Sequence, residues 1–268
     1  MAEQRLSHSD TARLDAELLL AHVMRCERSH FYTWPEKVPE APVREAFMSL
    51  LARREAGEPV AYLLHRQAFW TLDLEVAPHT LIPRADTELL VELVLTHCFE
   101  DARVLDLGTG TGAIALAVAS EREDIHVHAV DVIEEAVQLA ERNRQHHALS
   151  NVRIYRSDWF SAVEGHFDMI VSNPPYIEND DHHLQEGDVR FEPKSALVSG
   201  SDGLTDLRII VSQAPKSLFE GGMLLVEHGW QQAEAVQQLF ARAGFENIET
   251  VRDYGGRDRV TLGRLPSE

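Results

Sequence analysis

The chain has only two cysteines, Cys26 and Cys98, far apart and outside any Cys-x-x-Cys pattern. That excludes a disulfide framework and offers no cysteine-based zinc site, so two reduced thiols in or near cores are expected. Long hydrophobic runs are also missing: the stretch Ala113 to Ala119 falls well short of the roughly 20 apolar residues that cross a bilayer. The opening residues MAEQRLSHSD contain no basic segment followed by an apolar one, so a cytoplasmic protein without membrane contact is expected. Positive charge is scarce. Lys and Arg number 25 against 44 Asp and Glu, for a net charge of −19. Such a field repels nucleic acid unless cations cluster locally, which favours a protein or small-molecule partner over a direct nucleic-acid substrate. Histidine is plentiful, 14 residues, and His126 and His128 would share one face of a strand. With no acidic or cysteine ligand at a telling spacing, no metal is expected there, and the doublets His146-His147 and His182-His183 read as exposed polar positions.

What is present fills a large domain and a small one: 268 residues, 44% of them hydrophobic, with no internal repeat or low-complexity tract. Residues 1–66 read as a helical bundle. Ser9 or Asp10 can cap a helix with Leu14, Leu18 and Ala21 on its apolar side, and Pro35 and Pro39 interrupt before a second helix carrying Val43, Phe47, Leu50 and Leu51. Gly57 ends that helix. From Tyr62 to Pro83 the pattern shifts to short apolar and aromatic stretches, including Phe69-Trp70 and Leu72 to Val76, which suggests a β-hairpin linker over about 67–83. Residues 84–268 then alternate apolar strands and helices, as a parallel sheet covered on both faces requires. Strands are predicted at Val104–Gly108, His126–Asp131, Val152–Asp158, Phe167–Asn173 and Gly222–Glu227. Ile248–Asp253 and Arg259–Arg264, separated by Tyr254 to Asp258, suit an antiparallel pair. An open α/β sheet finishing in a hairpin resembles the class I (Rossmann-like) seven-stranded methyltransferase arrangement.

Leu105 to Gly112 follows an apolar strand and opens a helix, so its glycines would let backbone approach a ligand at the carboxyl edge of the sheet. Gly108, Thr109, Gly110, Thr111 and Gly112 are the candidate contacts. Gly108, Gly110 and Ala113 also satisfy a dinucleotide pattern, and Asp131 suits a ribose hydroxyl in NAD or in S-adenosylmethionine, so this loop alone leaves both open. After the third strand, Ser157-Asp158-Trp159 places a carboxylate and an indole where an adenine could be hydrogen-bonded and packed.

Asn173-Pro174-Pro175-Tyr176 closes the fourth strand, a tetrapeptide that no dinucleotide dehydrogenase needs. Amide nitrogen is a poor nucleophile because its lone pair is delocalised, so it must be held in line with a sulfonium methyl. The Asn173 side-chain oxygen can accept one N–H of such an amide, and the Pro174 carbonyl can accept the other. Two prolines preorganise these acceptors, and Tyr176 offers a flat ring and a hydroxyl to the planar group. Asn173, Pro174 and Tyr176 are therefore the candidate catalytic residues, with Pro175 completing the substrate-binding set. The N-protonated amide formed after transfer is strongly acidic, so no dedicated base is needed.

On these motifs the chain resembles the HemK/PrmC family of protein-(glutamine-N5) methyltransferases. The likeness covers Glu58 to Leu63, Leu81 to Glu88, the glycine loop, Asn173 to Tyr176, Val189 to Pro193 and Asp253 to Gly255. The resemblance implies S-adenosylmethionine as cofactor (S-adenosylhomocysteine as product), contacted by Gly108 to Gly112, Asp131, Trp159 and Asn173. It also implies class I peptide chain release factors as partners, the glutamine of their Gly-Gly-Gln loop being bound by Asn173 to Tyr176, and a helical docking domain, a hairpin and a seven-stranded catalytic domain. Two positions depart from the family pattern: His65 stands where a glycine is usual, and Ala85 where a second proline is usual. A sister group methylates a glutamine of a large-subunit ribosomal protein, but Ala85 to Leu90 is unlike its SPIGEL-type segment. Exocyclic-amine methylation of nucleic acid by the same tetrapeptide is the alternative from another substrate class.

Overall fold

A computed structural model of the chain describes residues 2–267, which divide into two compact units. Met1–Arg66 together with His183–Phe191 form one, and Gln67–His182 together with Glu192–Glu268 form the other. The recruitment of His183–Phe191 to the helical unit is not visible in the sequence, where that stretch lies inside the catalytic segment.

The helical unit contains α1 (Ala2–Arg5), α2 (Ala12–Met24), α3 (Ser29–Thr33), α4 (Ala41–Glu55) and α5 (Val60–Leu64). Pro42 sits in the first turn of α4, where its missing N–H costs nothing, and Gly57, at φ +99°, follows the helix end. The helix cap expected at Ser9 or Asp10 falls instead at Thr11, which makes no side-chain cap bond. The reason is Asp15, a buried carboxylate that takes the Ser9 hydroxyl at 2.9 Å and the Thr11 hydroxyl at 2.8 Å. Its charge is matched by Arg54, whose Nε lies 2.8 Å from Asp15 and whose Nη1 lies 2.7 Å from Asp188 of the recruited segment. The hairpin begins at Arg66, so the change of pattern read from Tyr62 precedes it. Tyr62 and Leu63 are adjacent and both buried, a pattern that suits the short helix α5 packed on α2 rather than an alternating strand.

In the larger unit, β1 (Arg66–Phe69, beginning at the last residue of the helical unit) and β2 (Leu72–Glu75) pair as a two-stranded sheet, with Trp70 in the turn at φ 56°. Then follow α6 (Glu88–His97), β3 (Arg103–Leu107), α7 (Ala113–Glu121), β4 (His126–Asp131), α8 (Glu134–His146), β5 (Val152–Arg156), β6 (Phe167–Ser172), α9 (Thr205–Gln213), β7 (Leu218–Glu227), α10 (Ala233–Arg242), β8 (Glu246–Arg252) and β9 (Asp258–Arg264). The seven-stranded order is β5-β4-β3-β6-β7-β9-β8, parallel except where β9 joins β7 and β8.

Alternation along the strands sorts the core into two layers. Val104, Met169, Met223 and Leu225 pack with α6, α7 and the hairpin, whereas Leu105, Leu107, Ile170, Leu224 and Val226 pack with α9 and α10. Strand order reverses between β3 and β6, which leaves a crevice at their carboxyl ends. The turns after β3, β4, β5 and β6 therefore gather at one edge.

Candidate active site

The loop after β3 turns sharply into α7. Gly108, Gly110 and Gly112 have φ of +72°, +55° and +86°, values that glycine adopts without the Cβ clash other residues suffer. Asp131, at the end of β4, fastens this loop: Oδ2 accepts the Gly110 N–H and Oδ1 accepts the Ile133 N–H, each at 2.9 Å. Burial raises its pKa, while those backbone bonds pull the other way. Asn143 of α8 secures the other side of the loop by donating to the Thr111 carbonyl at 2.9 Å, and it exchanges two bonds with the Glu75 backbone of the hairpin.

The third strand stops at Arg156, two residues before the expected end, and Ser157 organises the turn that follows. Its hydroxyl donates to the Trp159 carbonyl at 2.7 Å and accepts the Ala162 N–H at 3.0 Å. Trp159 takes a left-handed φ of 45°, and a Cβ on Gly108 would lie 3.4 Å from its ring. The indole therefore lies over the first glycine at a distance that would leave a Cβ in ordinary contact, and it is the positive φ of Gly108 that calls for glycine there.

A cavity of about 280 Å³ lies at this edge of the sheet. Among the residues singled out from sequence, Gly108, Thr109, Gly110, Thr111, Asp131, Asp158, Trp159, Asn173 and Pro175 line it. Gly112, Pro174 and Tyr176 are not in its wall. Gly112 has a packing reason for being glycine, since a Cβ there would come within 2.9 Å of Leu116 and 3.3 Å of Ala140. Tyr176 turns its hydroxyl inward, donating to Glu227 Oε1 at 3.1 Å. Burial is the main cause of the strongly raised pKa of that phenol.

Asn173 lines the cavity with its carboxamide oriented by a neighbour: Nδ2 donates to Thr87 Oγ1 at 3.0 Å. The oxygen end, Oδ1, is thereby left as the acceptor. Thr87 in turn stands beside Glu227, the fully buried last residue of β7, and favours its ionised form. Burial nevertheless pushes the Glu227 carboxyl up to about 7. Asp106, in the glycine motif, is likewise buried and raised to about 7; its Oδ2 accepts the Thr109 hydroxyl at 2.6 Å.

Thr87, Glu227, Glu192 and Asn143 were not singled out as site residues by sequence reasoning. Glu192 accepts the Ile82 N–H at 3.0 Å and pairs with Arg84, holding the segment Leu81 to Arg84 that forms part of the cavity wall. A signal existed for Glu227, a carboxylate that ends the apolar run Met223 to Val226, and for Thr87 and Glu192, which lie within motifs quoted for the family resemblance. Asn143, in the polar stretch Glu141 to His147, gave none.

Comparison with known proteins identifies the family. Residues 1–64 match the family model for the PrmC N-terminal domain, and residues 84–191 match the methyltransferase small domain. The chain is 59% identical over 266 residues to a release factor glutamine methyltransferase of Pseudomonas aeruginosa, covering 98% of this chain and 96% of that protein. Its identity to the protein of the same name from Escherichia coli is 52% over 265 residues, with 98% and 96% covered. Among solved structures, a methyltransferase from Pyrococcus furiosus superposes with a TM-score of 0.57 at 21% identity, over 80% of this chain and 97% of that one, a likeness of fold. Matched over nearly its full length at such identity, the chain belongs to the release factor glutamine methyltransferase family.

Proposed function

We propose that the protein methylates the side-chain nitrogen (N5) of the glutamine in the Gly-Gly-Gln loop of class I peptide chain release factors, using S-adenosylmethionine. The observation that carries this reading is Asn173 at the cavity, its Nδ2 engaged by Thr87 and its Oδ1 directed to accept. The residues present fit the cofactor. The cavity is close to the lower end of the roughly 300–1,000 Å³ range of small-molecule sites. Its wall combines the Trp159 indole with the Asp131 and Asp158 carboxylates, which suit an adenine, a ribose diol and a sulfonium charge. Gly108 and Gly110 admit the ligand to the backbone. When bound, S-adenosylmethionine supplies a methyl group made electrophilic by its positive sulfur.

The chain's own residues then position the acceptor. Asn173 Oδ1 accepts one N–H of the glutamine amide and the Pro174 carbonyl accepts the other, aiming the nitrogen lone pair at the methyl. Tyr176, anchored on Glu227, fixes the loop that carries both acceptors. The methylated nitrogen loses its proton to solvent, because an N-protonated amide is a strong acid.

In this reading residues 1–66 dock the protein substrate, 67–83 link, and 84–268 hold the cofactor. The helical unit exposes Tyr32, Trp34, Val38 and Met48, side chains suited to a protein contact. A release-factor substrate places the enzyme in the cytoplasm; among the described residues no helix is long and apolar enough to cross a membrane. The test is to incubate the protein with labelled S-adenosylmethionine and, separately, intact release factor, large-subunit ribosomal protein and nucleic acid. Label is expected in the release factor, at the glutamine. Label in either of the others and not in the release factor would refute the assignment.

A further inference from the structure

We propose that Glu227 is a positioning residue for methyl transfer, acting through Thr87 and Tyr176 to set which end of the Asn173 carboxamide faces the substrate; this rests on the carboxamide clamp proposed above. A carboxamide has a donor end and an acceptor end of nearly equal size. Only the oxygen end can accept an N–H from the substrate amide, so an Asn173 turned over would present donors to donors. Something must decide between the two orientations.

Thr87 is the immediate cause, since its Oγ1 accepts from Asn173 Nδ2 at 3.0 Å. A hydroxyl can equally donate, however, and a Thr87 that donated to Asn173 would favour the reverse orientation. What directs the Thr87 proton away is the carboxyl beside it. Glu227 is 1% exposed, and its Oε1 accepts the Tyr176 hydroxyl at 3.1 Å. Its Oε2 is buried with no hydrogen-bond partner among the described residues. An ionised carboxylate only accepts, so the protons of both neighbouring hydroxyls are drawn toward it. The polarity then runs one way, by a hydrogen bond from Asn173 to Thr87 and, from Thr87 onward, by the attraction of its hydroxyl proton to the adjacent carboxylate.

A purely structural position would be better served by an apolar or neutral side chain, because burying a charge without full pairing costs stability. The charged groups facing Glu227 are Arg259 of β9, whose field favours the carboxylate, and Asp86 before α6, whose field opposes it, together with the Tyr176 phenol. Burial outweighs these and brings the carboxyl to about 7. Protonation would let Glu227 donate to Thr87 and remove the bias. Turnover limited by this step therefore rises with pH through that region.

The experiment compares the full chain with its Glu227→Gln, Thr87→Val, Thr87→Ser and Glu227→Gln/Thr87→Val variants on intact release factor, measuring kcat, KM, the pH profile of kcat and cofactor affinity by calorimetry. Glu227→Gln is expected to lower kcat by about tenfold or more, the scale of one lost charged hydrogen bond, and to leave cofactor affinity within about twofold. Its acid limb near pH 7 should disappear. Thr87→Val should lose a similar factor and Thr87→Ser should retain most activity, with the double variant no worse than the poorer single one. Near-normal kcat for Glu227→Gln with an unchanged pH profile, or equal turnover by Thr87→Val and Thr87→Ser, would overturn the proposal. The second comparison decides even if Glu227→Gln does not fold. A folded Asn173→Ala enzyme with normal turnover would instead refute the clamp itself, whereas an inactive Asn173→Ala beside a normal Glu227→Gln would remove only the role given to Glu227.

Discussion

Asp131 Oδ2 and the Gly110 N–H meet at 2.9 Å, so the acid that closes β4 also shapes the glycine loop that closes β3. Asp131→Ala therefore removes a candidate ribose acceptor and frees a loop amide together. Cofactor affinity is expected to fall roughly ten- to a hundredfold, the equivalent of about 1.5–3 kcal/mol, with a smaller change in kcat at saturating cofactor. Calorimetry checks this; unchanged affinity in a folded variant would sink the assignment.

Gly112 and Gly256 separate two reasons for glycine. Both have positive φ, but a Cβ on Gly112 would lie 2.9 Å from Leu116, whereas one on Gly256 would meet nothing within 4 Å. Gly256→Ala should cost only the left-handed backbone penalty, about 1–2 kcal/mol, and Gly112→Ala that penalty plus about 1–3 kcal/mol of overpacking. Urea unfolding of the two variants measures the difference, and equal losses would contradict the packing argument.

Asn173→Ala should lose turnover far more than cofactor affinity, because the missing acceptor aligns the group that reacts. On the substrate side, a release factor with glutamate in place of the acceptor glutamine lacks both N–H donors and should not be methylated. Methyl transfer to that glutamate, read by mass spectrometry, would show that the amide clamp is mistaken.

The pH dependence of stability has a definite sign at Glu227. Its folded pKa, about 7, is above the unfolded value, so the folded state binds the proton more tightly. The contribution to stability is fully present below the unfolded pKa and is lost as pH rises through about 7. Glu227→Gln cannot lose it, so the variant should gain on the wild type by on the order of 1–3 kcal/mol between about pH 4.5 and pH 8. Denaturation curves at both ends of that window test this, and a stability difference independent of pH would contradict it.

Val38 is 77% exposed in the helical unit, near the exposed Trp34. If that surface docks the protein substrate, Val38→Glu should raise KM for intact release factor several-fold and leave methylation of a short peptide carrying the Gly-Gly-Gln loop unchanged, since the peptide has nothing to dock. Equal effects on both substrates would exclude this patch from docking.

By itself the sequence determined the parts whose signals are local. Strand periodicity placed β4 at its observed limits and β3, β5 and β6 within two residues, because each strand's side chains repeat every two positions. Glycines with positive φ and the Asn173-Pro174-Pro175-Tyr176 turn were legible for the same reason: a backbone constraint acts on the residue that bears it. Tertiary structure alone decided what depends on residues far apart in the chain. The Asp15 carboxylate drew Ser9 and Thr11 away from the helix cap because Arg54 made its burial affordable, and Asp188 joined that pair from 134 positions away. In the same way the Asn173 carboxamide owes its orientation to Thr87, 86 positions earlier, and Tyr176 its inward hydroxyl to Glu227, 51 positions later. A hydrogen bond needs two groups within about 3 Å in the right orientation, and only the folded chain brings such distant residues that close.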